Sequence, residues 1–193
     1  MRRARSATPL LCAALACGEG HTSPPKPDET PPVLSVPMID LRHVVEFLPF
    51  GVALPGSGVI NPTYEMRTDI NTLDVVAVSP GVVVAIRGNP LINAEIEIRP
   101  VQNSVYSIIY DHVRESTIAV GSAVQPGTRL GRIGPWTGTQ GRTELQINRD
   151  GSPTLAYCPV QFGTAEFNQA HAAAFAAAGK GATEICVRPT VIP

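Results

Sequence analysis

A proline followed by glycine ends both helix and strand, and this chain sets that pair at Pro55-Gly56, Pro80-Gly81 and Pro126-Gly127, with Asp150-Gly151 beyond them. Its 193 residues include 17 glycines and 19 prolines, well above the roughly 12% that globular chains carry. Such a chain must turn often. Between the turns lie β-branched runs over Val75–Val78, Val82–Ile86, Glu95–Arg99, Val105–Tyr110 and Arg129–Ile133. Two segments alternate cleanly. Ile96 and Ile98 oppose Glu95, Glu97 and Arg99, while Leu145 and Ile147 oppose Arg142, Glu144, Gln146 and Asn148. That period of two marks half-buried antiparallel strands. One stretch reads as helix: the alanine-rich Ala165–Ala178, with Gly179 placed to stop it.

Charge excludes one class of function. Fifteen basic residues face 16 acidic ones without a basic run, which argues against nucleic-acid binding. No apolar stretch approaches the ~18 residues that a membrane-spanning helix needs. Arg2, Arg3 and Arg5 precede an apolar segment from Ala7 to Ala16, the pattern of a secretory signal peptide over residues 1–16. Ala14-Leu15-Ala16 ahead of Cys17 also resembles a lipobox, so Cys17 is a candidate for lipidation, with plain secretion as the alternative. Export across the inner membrane and lipid anchoring in the cell envelope, periplasmic or on the cell surface, follow as the expected localisation. Removal of residues 1–16 leaves 12 basic against 16 acidic residues, a net charge of -4. Cys158 and Cys186 then remain as a pair, bonded in an oxidising compartment or kept as two buried thiols. Residues 17–37 carry six prolines between Pro24 and Pro37 and read as an extended tether. The folded domain is expected over residues 38–193.

A resemblance emerges over residues 75–149. VVAVSPGVVVAI, IIYDHV and VGSAVQPGTRLGRIGPWTGTQGRTELQIN resemble, in that order, the core of the lysostaphin-type zinc metalloendopeptidases. Those are bacterial cell-wall hydrolases with a duplicated hybrid motif. The resemblance implies a mostly β, barrel-sandwich antiparallel domain, here with a C-terminal alanine-rich helix. Lipoyl and biotinyl carriers share such glycines but need a lysine on an exposed hairpin. The chain has only Lys26 and Lys180, both outside the barrel.

What the resemblance implies for the site is less regular. The family's zinc ligands, His and Asp of His-x-x-x-Asp plus the second His of His-x-His, correspond to Glu65, Asp69 and Gln146. Its catalytic histidines correspond to His112 and Glu144. Zinc sites of this kind draw on imidazoles and a carboxylate around an open water position, and the matched ligand positions offer no imidazole. His21, His43 and His171 form no metal-binding spacing. No cofactor is therefore expected. Zinc, or calcium on the oxygens of Glu65, Asp69, Glu144 and Gln146, belongs to the alternative of an active metal-dependent endopeptidase with His112 as general base or transition-state stabiliser. Trp136, Tyr110 and Arg142 are candidate groove residues, with Trp136 either stacking on a ligand or capping the barrel. Tyr106, Ile108, Tyr110 and His112 are expected on one strand face, and Arg142 and Arg149 flank the Glu144 strand. Three functions stay open: an inactive envelope lipoprotein binding peptidoglycan or a protein partner, an active peptidase with an atypical metal site, and a purely structural envelope module.

Overall fold

The computed structural model describes residues 25–179 and 184–193. The signal-peptide and Cys17 readings lie outside the described residues. Eleven strands form one sheet: β1 (Val44–Leu48), β2 (Tyr64–Thr68), β3 (Asp74–Val76), β4 (Gly81–Asn89), β5 (Asn93–Arg99), β6 (Tyr106–Arg114), β7 (Ala123–Val124), β8 (Arg129–Pro135), β9 (Gly141–Arg149), β10 (Leu155–Tyr157) and β11 (Thr190–Val191). Among the described residues one α-helix, α1 (Ala165–Ala178), follows late in the chain. Strands run in the order β1-β2-β9-β8-β6-β5-β4-β7, and β9 also pairs directly with β6 and with β10. Every pairing between named strands is antiparallel. The mostly β antiparallel architecture with a C-terminal helix is thus the one the turns and alternation imply.

Alternation decides which side is buried. Ile96, Ile98, Ile108, Leu145 and Ile147 join a core closed by Val83, Leu130 and Ile133. Their neighbours Glu95, Glu97, Glu144 and Gln146 turn to the opposite, polar face, where Glu97 stays buried because Arg87 and Arg99 bind its carboxylate. Gly81 opens β4 where a Cβ would lie 2.5 Å from the Arg99 carbonyl oxygen. Only glycine lets the strands approach so closely there.

The proline-rich segment corrects the expected boundary. Pro32 and Leu34 are buried while Val33 is exposed. The Asp28 N–H donates to the Asn103 carbonyl (3.0 Å), that of Leu34 to Phe162 (2.9 Å), and that of Ser35 to Val78 (2.9 Å). Extended chain puts alternate residues inward, and proline serves wherever no backbone N–H is needed. The domain therefore includes residues from Asp28 onward rather than starting at 38.

Helix α1 begins where the Thr164 hydroxyl accepts the Phe167 N–H (3.2 Å) and ends at Gly179. Its buried stripe is Phe167, His171, Phe175 and Ala178. His171 donates from Nδ1 to the Phe167 carbonyl (2.8 Å), and burial pushes its pKa down to about 4. A disulfide joins Cys158 to Cys186 over 28 residues, beside a small second core of Phe50, Ala156 and Val191.

Two outcomes follow. Replacing both bonded cysteines with serine should lower unfolding free energy by about 3–4 kcal/mol, the loop-closure value for this span, as read by urea titration. Because folded His171 binds its proton less readily than the unfolded chain, its contribution is complete above pH 6.5 and disappears as the pH falls towards 4. That loss amounts to roughly 3 kcal/mol, and the His171→Leu variant should lack it.

Candidate functional site

The polar face of β2, β9 and β6 carries the residues singled out by the resemblance. Glu65 and Glu144 stand directly opposite each other in the β2–β9 register, and so do Arg67 and Arg142 one step along the same face. Two carboxylates and two guanidiniums paired across strands would repel if each kind met only itself. Diagonal contacts resolve this. Arg142 bridges the carboxylates, with Nε 3.1 Å from Glu65 Oε1 and Nη2 bound to Glu144 Oε1. Arg67 donates from Nε to Glu65 Oε1 (3.0 Å) and reaches Glu46 on β1 at 3.3 Å. Trp136, on the loop after β8, lies over both cations, 4.3 Å from Arg67 Cζ and 5.2 Å from Arg142 Cζ.

A β-bulge brings His112 to this line. Ala94 pairs with Val113 but Ile96 with Tyr110, so β6 holds one residue more than β5 at this point. His112 takes up the extra residue with a left-handed φ of 57°, a conformation that costs a non-glycine residue about 1–3 kcal/mol. The strand crossing behind it is glycine for the same reason, since a Cβ on Gly134 would sit 2.9 Å from the His112 carbonyl oxygen. The bulge sets His112 Nε2 3.2 Å from Glu144 Oε1 and Nδ1 3.2 Å from Asn93 Oδ1.

The bulge also overturns the expectation that Tyr110 and His112 share a face. Tyr110 is fully buried and its hydroxyl accepts the Val78 N–H (2.8 Å), so it seals the core and cannot line a groove. Burial raises its hydroxyl pKa. Other assigned residues scatter. Asp69 turns to His43, whose Nδ1 is 2.9 Å away. Gln146 donates to Asn148 Oδ1 (2.7 Å). Arg142 is central to the network rather than a solvated strand end, and Arg149 stands apart, 3.6 Å from Glu29. Arg67, Glu46, Asp111 and Asn93 escaped the sequence reading. Arg67 was detectable, because Glu65-Met66-Arg67 alternates as the Glu144 segment does.

Glu65 and Glu144 are both buried, with side chains 4% and 10% exposed. Burial by itself raises the Glu144 carboxyl pKa. Hydrogen bonding to His112, the Arg142 charge and the Thr63 hydroxyl outweigh it and hold the group below its ordinary value of 4.5. Among the described residues, one group of three metal-ligating side chains converges: Asp111, His112 and Glu144, with ligand atoms within 4.8 Å. Glu65 and Asp69 belong to no such group of His, Cys, Asp and Glu. Zinc does not fit Glu65, Asp69 and Gln146, because Arg67 and Arg142 already bind the Glu65 carboxylate, His43 holds that of Asp69, and none of the three offers an imidazole. A cavity of about 480 Å³ lined by Ile39, Leu41, Leu73, Val76 and Ala170 shares no residue with this network.

No protein-family model matches the sequence, and no curated protein does. Solved structures do. A chain of the SpoIIQ–SpoIIIAH pore-forming complex is similar at a TM-score of 0.53 and 18% identity, over 68% of this chain and 91% of that one. Lysostaphin from Staphylococcus simulans is similar at 0.49 and 21%, over 76% of this chain and 58% of its own. The catalytic domain of the M23 protein EnpA from Enterococcus faecalis is similar at 0.43 and 18%, over 54% and 82%. The chain shares its fold with that chain of the SpoIIQ–SpoIIIAH complex.

The network makes a direct prediction. Arg142→Met leaves two buried carboxylates face to face and should cost about 3–5 kcal/mol in urea unfolding at neutral pH. Adding Glu144→Gln should recover part of that loss. In the wild type, Glu144 contributes stability above pH 4.5 that is lost as the pH falls through its depressed value, and Arg142→Met should flatten this slope.

Proposed function

We propose that this chain is a catalytically inactive lysostaphin-like domain of the bacterial cell envelope. It is exported by the 1–16 segment and anchored through a lipidated Cys17, and its polar face binds wall material or an envelope protein. The observation that carries this reading is Arg142: its guanidinium joins Glu65 to Glu144 across β2 and β9. Hydrolysis of an amide by the metal route needs an ion with an open position that acidifies a water. A guanidinium has no coordination site and no proton to exchange near neutral pH. It holds charge and geometry but supplies no nucleophile.

Two features support a binding role. Trp136 remains 44% exposed although it covers two cations, leaving an aromatic surface open to a ligand. A protein partner is the favoured ligand, because the chain of similar fold comes from a complex between two proteins.

Purified protein should contain no stoichiometric zinc by elemental analysis and should release no soluble fragments from isolated cell-wall sacculi. Zinc at one per chain together with fragment release would overturn the reading. Radiolabelled palmitate should enter the wild type and be absent from Cys17→Ser.

A further inference from the structure

The tip between β4 and β5 carries Leu91 and Ile92, 69% and 66% exposed. Large apolar side chains at a loop tip would be unremarkable if the tip were loose, but this one is tied down. The Ile92 N–H donates to the Asn89 carbonyl (3.0 Å), the Leu91 N–H to Asn89 Oδ1 (3.0 Å), and the Ser116 N–H to the Pro90 carbonyl (2.8 Å). The next residue, Asn93, touches His112. The tip therefore adjoins the His112 end of the charged line, and Trp136 covers Arg67 and Arg142 further along it.

Between them the charges do not balance. Glu65, Asp111 and Glu144 face Arg67 and Arg142, so carboxylates outnumber guanidiniums by three to two. Asp111 is the more open of the carboxylates beside His112, with its side chain 35% exposed. Its Oδ1 accepts the His112 N–H (2.6 Å), while its Oδ2 lies 3.8 Å from His112 Nε2. The ligand atoms of Asp111, His112 and Glu144 lie within 4.8 Å of one another, a separation that the hydrogens of one ammonium or guanidinium group span. A fitting ligand is cationic at its centre and apolar on its flanks.

We propose that this face docks a segment of a partner protein in which a lysine or arginine is flanked by apolar residues. The basic group enters at Asp111 and Glu144, and the apolar neighbours rest on Leu91, Ile92 and Trp136. The inference rests on the reading of the face as a binding surface without metal. Apolar anchors around a desolvated charge pair are the arrangement that concentrates binding energy in a few residues, and the residual negative charge accelerates the approach of a basic partner.

The test is selection of a random-peptide display library on the full chain, followed by fluorescence anisotropy with synthetic copies of the enriched peptides. The expected result is enrichment of lysine or arginine between apolar residues. Affinity should fall by about 10-fold or more, the effect of losing one interface anchor, in Asp111→Asn and in Ile92→Ser. Both variants should keep the wild-type circular dichroism spectrum. Ile192→Ser, exposed on β11's side of the molecule, should bind unchanged. Enrichment of acidic or uncharged peptides, no enrichment, or affinities indifferent to Asp111 and Ile92 would overturn the proposal. So would Asp111-dependent binding of an amine-bearing muropeptide in place of any peptide. Such failure in a zinc-free, non-hydrolytic protein removes the partner assignment alone, whereas zinc-dependent wall hydrolysis removes the reading beneath it.

Discussion

Two buried glutamates facing each other across a strand pair are unstable unless a cation joins them, and here the cation is Arg142. The organisation of the polar face follows from that requirement. Arg67 shares Glu65 and balances Glu46, Trp136 covers the two guanidiniums, and His112 completes the line at Glu144. The backbone is shaped to deliver these groups. A bulge in β6 turns His112 outward, and Gly134 leaves room for that bulge. A row of alternating charge thus crosses β1, β2, β9 and β6, each member held by its neighbour.

This arrangement explains how the sheet persists with Glu65 and Glu144 buried at positions that the resemblance assigns to a zinc ligand and a catalytic histidine. A strand's two faces are independent in what they require. Leu145 and Ile147 meet the core whatever stands at 144 and 146, so the outward residues can form ion pairs while the packing is kept. The Arg142 guanidinium, held by two carboxylates, ties β2 to β9. The face is a surface of fixed charge.

Much of this was legible in the residues. Pro-Gly turns and the alternation of Glu95–Arg99 and Arg142–Arg149 pointed to the sheet, and the alanine run with Gly179 pointed to α1 at its observed limits. The pairing of His112 with Glu144 could be suspected from their matched positions. What could not be read was anything that depends on register. A one-residue bulge separates Tyr110 from His112, and period-two reasoning carries no sign of it. The proline-rich segment read as a tether by composition, yet Pro32 and Leu34 find a place against the domain that only the tertiary structure offers. Arg67 and Arg142 as cross-strand neighbours, and Asp69 drawn to His43, are likewise facts of pairing rather than of composition.

The central claim of the proposed function is that Arg142 serves where a metal otherwise would, and ligand-linked stability addresses it most directly. A protein that binds zinc in its folded state gains stability as zinc is added. Thermal unfolding of the wild type should be unchanged by a saturating excess of zinc over chelator-treated protein. A melting temperature that climbs with zinc concentration, and stops climbing when Glu65 and Glu144 are replaced by glutamine, would contradict the claim.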